Sequence, residues 1–402
     1  MKKIVYAWAI LTLIGGPTAP TWAQEEAWKS QMQSAVDWLK QNNTEQAWTS
    51  LKAALEAAEQ FETDDPRLAS TLEFAGTFLG SQGEFTQADS LLKRALTLRE
   101  RNLGLNHPDV AATLDRVAEL YQTERRMDDA ETYLRRALAI REAAYGNEHP
   151  AVDASINRLI TLYYGQGKYD DAESLLKRSL EIREKALGPD HPHVATALNE
   201  LGVLYRDLGR LPEAEPLLKR SWNLREKSFG LQDPVVAESV GNLGGVYQAE
   251  GKYEEAERLF LLSLSILENT LARTDPMDPR LANGLKSLAA ARLALGKFSE
   301  SQPLLERSLI IEENIAGQES PLLSPTLINL AQVHFSQQHF SDAEVLLRRT
   351  LSIQEKSLGP QHLSIVPTLF ILAEVLRKSG RSAEADSLEV RAQTIRDSSG
   401  AK

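Results

Sequence analysis

The chain has 402 residues, 42% of them hydrophobic and 25% charged, enough apolar surface for a packed core, and this excludes disorder as its main state. Its 45 basic against 56 acidic residues leave a formal net charge of -11, which repels phosphate backbones and anionic lipid and argues against a nucleic-acid partner. The absence of cysteine excludes a disulfide scaffold, a thiol nucleophile, thiolate zinc ligation and the acylated cysteine of a lipoprotein.

At the amino end, Lys2 and Lys3 precede a short apolar run, Ile4 to Ile14, which Gly15, Gly16 and Pro17 break. This is the pattern of a secretory signal peptide over residues 1–23, with Thr21-Trp22-Ala23 as the processing site and cleavage expected after Ala23. The run is shorter than the ~20 residues a bilayer span needs, so an uncleaved anchor is the weaker reading and no membrane insertion is expected after cleavage. The mature chain is expected to be exported, to the bacterial periplasm or the medium. Residues 24–64 carry Trp28, Trp38 and Trp48 and a degenerate copy of the unit described next, beginning at Ala47. They are predicted to be amino-terminal capping helices.

From residue 65 to 384 one unit repeats. The segments beginning at Ala130 (AETYLRRALAIRE), Ala172 (AESLLKRSLEIRE) and Ala214 (AEPLLKRSWNLRE) start 42 residues apart, and the same anchor recurs at Ala88, Ala256, Ser301, Ala343 and Ala385. One step, from Ala256 to Ser301, is 45, and its extra residues lie around Thr274 to Asp278. The first half of each unit is clearest at Val194 to Gly209, where Leu198, Leu201, Leu204 and Tyr205 make the stripe of an amphipathic helix. Small residues at Gly76, Ala118, Gly202, Gly244, Ala289, Ala331 and Ala373 mark a close approach of two helices, with Ile160 the exception. Gly83, Gly167, Gly209, Gly251, Gly296 and Gly380 stand where a left-handed helix cap is needed. Each unit is predicted to be helix, tight turn, helix. The last helix, in residues 385–402, has Glu389 and Gln393 where inner units have Leu176 and Leu180, and it reads as a polar carboxy-terminal cap.

The units are joined at His107-Pro108, His149-Pro150 and His191-Pro192, whose counterparts are Asp65-Pro66, Asp233-Pro234, Asp278-Pro279, Ser320-Pro321 and His362-Leu363. Asp and Ser cap helix starts and Pro favours the first turn, so these histidines are predicted to be N-caps, not metal ligands. His193, His334 and His339 have no convincing partner in the sequence. No metal site and no cofactor is expected.

The strings LNELGVLY, GKYEEAE and ALGPDHPHVA resemble tetratricopeptide repeats of the 42-residue kind found in kinesin light chains and many bacterial proteins, over Asp65 to Arg396. The resemblance implies an all-α solenoid of stacked helix-turn-helix repeats forming a right-handed superhelix, with first helices lining a concave groove. Stacking is also the physical requirement, since a lone helix pair cannot bury its apolar face. Kinesin itself is not implied, because no heptad segment precedes the repeats.

By this likeness, Asn157, Asn199, Asn242 and Asn329 fall at two adjacent positions where kinesin light chains carry Asn-Asn, and such amides hydrogen-bond an extended peptide backbone whatever its side chains. Other units depart, with Arg116, Arg158, Glu200 and Ser287 at the second position. Neighbouring groove candidates are Asp115, Glu119, Gln122, Tyr164, Arg206, Gln248, Lys286, Gln332 and Phe335. The bland reading of the same residues is a solvated polar face. A recurring basic pair, such as Lys93-Arg94 and Lys177-Arg178, is expected to pair with nearby carboxylates of the protein itself, such as Glu100, Glu142, Glu184 and Glu226, and Glu181 stands four residues before Lys185 in the favourable order. No phosphate loop, nucleophile elbow or zinc-protease motif is present, so the chain is expected to be a non-enzymatic scaffold for a protein or peptide partner. The alternative is a self-associating structural element.

Overall fold

Every regular element among the described residues is helical, and in this computed structural model those residues are 22–400 apart from 63 and 273. The expected signal peptide, residues 1–23, lies almost wholly outside them. The helices fall into two units, residues 1–189 and 190–402. The first holds α1 (Trp22–Lys40), α2 (Thr44–Ala58), α3 (Pro66–Ser81), α4 (Phe85–Leu103), α5 (Pro108–Thr123), α6 (Met127–Tyr145), α7 (Pro150–Gln166) and α8 (Tyr169–Leu187). The second holds α9 (Pro192–Asp207), α10 (Leu211–Phe229), α11 (Pro234–Ala249), α12 (Tyr253–Thr270), α13 (Pro279–Ala294), α14 (Phe298–Ala316), α15 (Ser324–Ser336), α16 (Phe340–Leu358), α17 (Val366–Lys378) and α18 (Ser382–Gly400). Odd and even helices pair consecutively, and within each unit every pair packs on the next.

The sequence sets the helix ends. His107, His149, His191 and His362 accept, through Nδ1, the backbone N–H two residues on at 3.1–3.2 Å, as Asp65, Asp233, Asp278 and Ser320 do through oxygen. An imidazole does this only with Nδ1 unprotonated. The glycines that follow the first helices take positive φ, as at Gly209 (φ 74), and Arg125 and Gln338 adopt the same conformation without being glycine. Before α15 and α17 the chain makes a 3-10 turn, Pro321–Leu323 and Leu363–Ile365. Pro325 and Pro367 sit one turn later than the usual proline and cannot donate the bond that would continue the helix backward.

The small residues do what their pattern predicts. A Cβ added to Gly202 would lie 2.7 Å from Leu218 Cγ, one on Gly76 2.8 Å from Leu92 Cγ, and one on Gly244 2.8 Å from Phe260 Cε1. Leu218 and Leu92 are buried, so the first and second helices touch with backbone against side chain. At the amino end, Trp28 donates from Nε1 to Thr71 Oγ1 at 2.9 Å and packs edge-on to Phe61, while Trp48 stacks on Phe78. At the other end α18 buries Ala385, Ala392 and Ile395, and Arg377 holds Glu389 and Asp386 at 2.7 and 2.9 Å.

Within each unit, polar clamps tie pairs to their predecessors. Tyr121 bonds Asp89, Tyr163 bonds Glu131 and Tyr247 bonds Glu215 at 2.8–3.0 Å, each running from a first helix to the second helix of the preceding pair. Arg292 takes the tyrosine's part with Glu257 at 3.0 Å. The recurrent basic pairs divide their work. The leading residue bonds an acid one turn back, as in Lys93–Asp89, Lys219–Glu215 and Arg348–Glu344. The trailing one crosses to the preceding pair, as in Arg136–Glu100, Arg178–Glu142 and Arg349–Glu313, each 2.6 Å. Lys185 corrects the expected helical pairing: its ammonium meets Glu148 at 2.7 Å, because the linker ahead of α7 brings that carboxylate closer than Glu181.

Two expectations test this packing. Gly202→Val drives a side chain into Leu218 and is expected to destabilise by about 1–3 kcal/mol. Gly165→Ala, whose methyl meets nothing within 4 Å, is expected to be neutral or to stabilise by up to about 1 kcal/mol. Equal thermal melting of the two variants would contradict the close-approach account. The second concerns Glu131. Burial acts to raise its carboxyl pKa, but hydrogen bonds from Lys168, Arg135 and Tyr163 prevail and hold it down to about 2. A folded-state pKa below the unfolded value gives stability that is full above about pH 4.5 and is lost as pH falls toward 2. Arg135 and Lys168 are 60% and 40% exposed, and screening leaves about 1–2 kcal/mol. Glu131→Gln should therefore flatten that segment of the stability profile in acid titration, and an unchanged slope would count against the clamp.

Candidate functional site

First helices touch directly at α3 with α5 in the first unit, and at α9 with α11, α11 with α13 and α13 with α15 in the second. Of the expected groove residues, Asp115 stands on α5, Asn199 and Arg206 on α9, Asn242 and Gln248 on α11, and Lys286 on α13. There is also a column the repeat strings contain but sequence reasoning did not single out: Arg99, Arg141, Arg183 and Arg225, each inside the apolar stripe of a second helix. A charged residue held at one position of an otherwise apolar face was the available signal, because a buried guanidinium requires partners.

Those partners are first-helix residues. Arg99 bonds Glu73 and Thr113. Arg141 reaches Asp115 Oδ2 at 2.7 Å and Ser155 Oγ at 2.5 Å, and Arg158 adds a contact to the same carboxylate at 3.4 Å. Asp115, placed by spacing among the groove candidates, is thus only 5% exposed and does not offer a free carboxylate. In the second unit the pair is inverted. Lys286 Nζ lies 2.6 Å from Glu312 Oε1, and Thr326 donates to Glu312 Oε2 at 2.6 Å. Lys286 is likewise held internally.

Where the first-helix position is an amide, the arginine goes elsewhere. Arg183 bonds Asp153 at 2.9 Å, and Asn157, half-buried, lies 3.4 Å from the same carboxylate. Arg225 donates to Ser239 Oγ at 2.9 Å and the Val235 carbonyl at 3.0 Å, with Glu238 at 3.4 Å. Asn199 and Asn242 then meet. Asn242 Nδ2 donates to Asn199 Oδ1 at 3.0 Å, and Asn199 Nδ2 donates to Glu238 Oε1 at 2.9 Å. Arg206 approaches Asn242 Oδ1 at 3.5 Å and lies over Gly245, where a Cβ would come within 3.1 Å of its Nη1. Arg206, Asn242, Asn199 and Glu238 thus form one polar chain across α9 and α11. Asn199 is buried and Asn242 is half-exposed.

The remaining candidates are more dispersed. Glu119 is exposed and bonds Arg116 at 3.0 Å. Gln122, Gln248 and Asn329 are half-buried, and Gln332 is exposed. Tyr164 meets Tyr169 edge-on at 6.0 Å, and Phe335 meets Phe340 at 5.6 Å, each across the turn of its own pair. His334 and His339, for which spacing gave no partner, are brought together with Asp342 by the turn between α15 and α16, their ligating atoms all within 4.8 Å of one another.

The tetratricopeptide repeat family model matches residues 67–143, 152–227, 194–269 and 280–356, more than half of the chain. No curated protein sequence matches significantly. Among solved structures, the apo quorum sensor NprR of B. thuringiensis superposes with a TM-score of 0.60 at 16% identity, over 92% of this chain and 98% of that one. Aspartyl phosphate phosphatase F of Bacillus subtilis gives 0.56 at 10% identity, over 95% and 96%. A candidate kinesin light chain of Podosopora anserina, with nearly identical TPR-like repeats, gives 0.44 at 28% identity, over 52% and 98%. The first two are similar in fold.

The Asp115–Arg141 contact provides the check on the inner column. Truncation in Arg141→Ala leaves a buried carboxylate with one longer contact and is expected to destabilise by roughly 3 kcal/mol. Replacing both residues by leucine should recover most of that loss in urea denaturation. A single variant as stable as the parent would remove the column from the structural account.

Proposed function

The chain belongs to the tetratricopeptide repeat family, and from that premise we propose that it is a non-enzymatic scaffold of the cell envelope that holds an extended segment of a partner protein against its first helices. The observation that carries this reading is the amide pair Asn199–Asn242 between Arg206 and Glu238. An Asn side chain has two donors and an acceptor with two lone pairs, so the bond between the amides leaves donor and acceptor capacity on the half-exposed Asn242. A peptide backbone presents matching N–H and C=O groups, and Arg206 and Glu238 add one charge of each sign beside them. Asn157 supplies a comparable amide in the first unit.

Placement in the envelope, as a periplasmic or secreted protein, is supported by the signal-peptide pattern of residues 1–23. No helix among the described residues is long and apolar enough to cross a membrane. The net charge of -11 disfavours nucleic acid as the partner. Self-association is the competing reading, and the polar side of α18, with Arg377 engaging Glu389 and Asp386, disfavours end-to-end growth.

The test replaces Asn157, Asn199 and Asn242 together by alanine and compares affinity capture from the periplasmic fraction, where a mature chain beginning at Gln24 is expected. Circular dichroism and melting establish that the variant remains folded. The expected outcome is at least a tenfold loss of the captured partner, a change of about 1.4 kcal/mol or more. A folded variant that retains every partner at unchanged affinity overturns the reading.

A further inference from the structure

We propose that His334, His339 and Asp342 form a binding site for a divalent transition-metal ion of the zinc class. The column of His334 is occupied by Tyr121, Tyr163, Tyr247 and Arg292, each bonded to an acid on the preceding second helix, namely Asp89, Glu131, Glu215 and Glu257. The column of His339 is occupied by Lys168 and Lys297, which bond Glu131 and Glu257. In this one repeat the acid is replaced by Gln302, whose amide is engaged by Gln337 at 3.2 Å and by Glu306 at 2.8 Å. The clamp is gone, and both of its other members are imidazoles.

The consequence is an orphaned ligand atom. Nδ1 of His334 is buried and has no hydrogen-bond partner. The atom nearest in chemistry is Asp342 Oδ2 at 3.9 Å, beyond hydrogen-bonding distance. His339 is the N-cap residue of α16, yet unlike His107, His149, His191 and His362 it makes no capping bond with its ring. The turn itself gathers the three groups. The His339 N–H donates to the His334 carbonyl at 2.8 Å, with Gln338 at φ 63 between them, so the two rings stand 6.0 Å apart. Asp342, in the first turn of α16, completes the cluster.

All three ligating atoms lie within 4.8 Å of one another. Metal–ligand bonds of about 2.0–2.2 Å put tetrahedral ligands roughly 3.4 Å apart, so closure requires up to about 1.4 Å of adjustment. His339 and Asp342 are exposed and can rotate to supply it. Two imidazoles and one carboxylate suit zinc, nickel or copper in preference to magnesium or calcium. The exposed side leaves room for water as a fourth ligand, and an ion here would tie α15 to α16 in the repeat that lacks the aromatic or arginine bond to an acid of the preceding second helix.

The test is isothermal titration of the tag-free, metal-stripped mature chain with zinc chloride, with magnesium chloride in parallel. One zinc ion per chain is expected at a dissociation constant of about 1–50 µM, consistent with three partly exposed ligands, and no magnesium binding. His339→Ala and Asp342→Asn change exposed side chains, so they keep the fold and should each weaken zinc binding at least tenfold, as should His334→Ala. His193→Ala, which removes the exposed member of the stacked pair His191–His193, should leave it unchanged. No saturable zinc binding up to about 1 mM, or binding that survives His339→Ala and Asp342→Asn, overturns the proposal and leaves the cluster as an ordinary histidine–carboxylate contact.

Discussion

The approach of two helices to backbone distance, possible only where the first helix carries almost no side chain, governs the rest of the structure. Leu218 against Gly202 and Phe260 against Gly244 leave no space for a Cβ. Once a pair has closed in this way, its remaining apolar stripe has nowhere to go except onto the next pair. The polar clamps then follow. A pair placed by hydrophobic contact alone could slide along its neighbour, whereas Tyr163 on Glu131 and Arg136 on Glu100 set one register. Apolar burial supplies the attraction and charged groups select the alignment.

This division explains why some features could be read from the chain and others could not. Helix ends depend on residues adjacent in sequence, so the prolines, the capping His107, His149 and His191, and the positive-φ glycines were legible at once. So was the close-approach column. Ile160, the exception in that column, is buried at its place in α7. Contacts between repeats were not legible, because they depend on which of several acids thirty to forty residues away comes nearest. Lys185 shows the problem: helical spacing points to Glu181, and the linker delivers Glu148.

The candidate site divides in the same way. Spacing located Asn199 and Asn242 without revealing that each is the other's partner, or that Glu238 and Arg225 support them. Asp115 and Lys286 belong to the same repeat position as Asn199, and spacing gives no reason to separate them. Their partners do separate them, since the half-buried Arg141 and the buried Glu312 are charges that must be met. The inner arginine column decides which first-helix residues remain available to a ligand, and it was visible as a charged residue recurring in an apolar stripe. His334 and His339 lie five residues apart across a turn, and only the loss of the acid at Gln302 gives their proximity meaning.

The inverted pair Lys286–Glu312 has a consequence for fidelity of assembly. A polypeptide built of near-copies can fold with a helix docked on a look-alike from elsewhere in the chain or from another molecule. Such an exchange between these two modules would set Lys286 beside Arg141, or Asp115 beside Glu312, with like charges enclosed together. The wrong partner would be rejected by repulsion at the very place where the right one is held, so the sign reversal works as an address that otherwise interchangeable bricks lack.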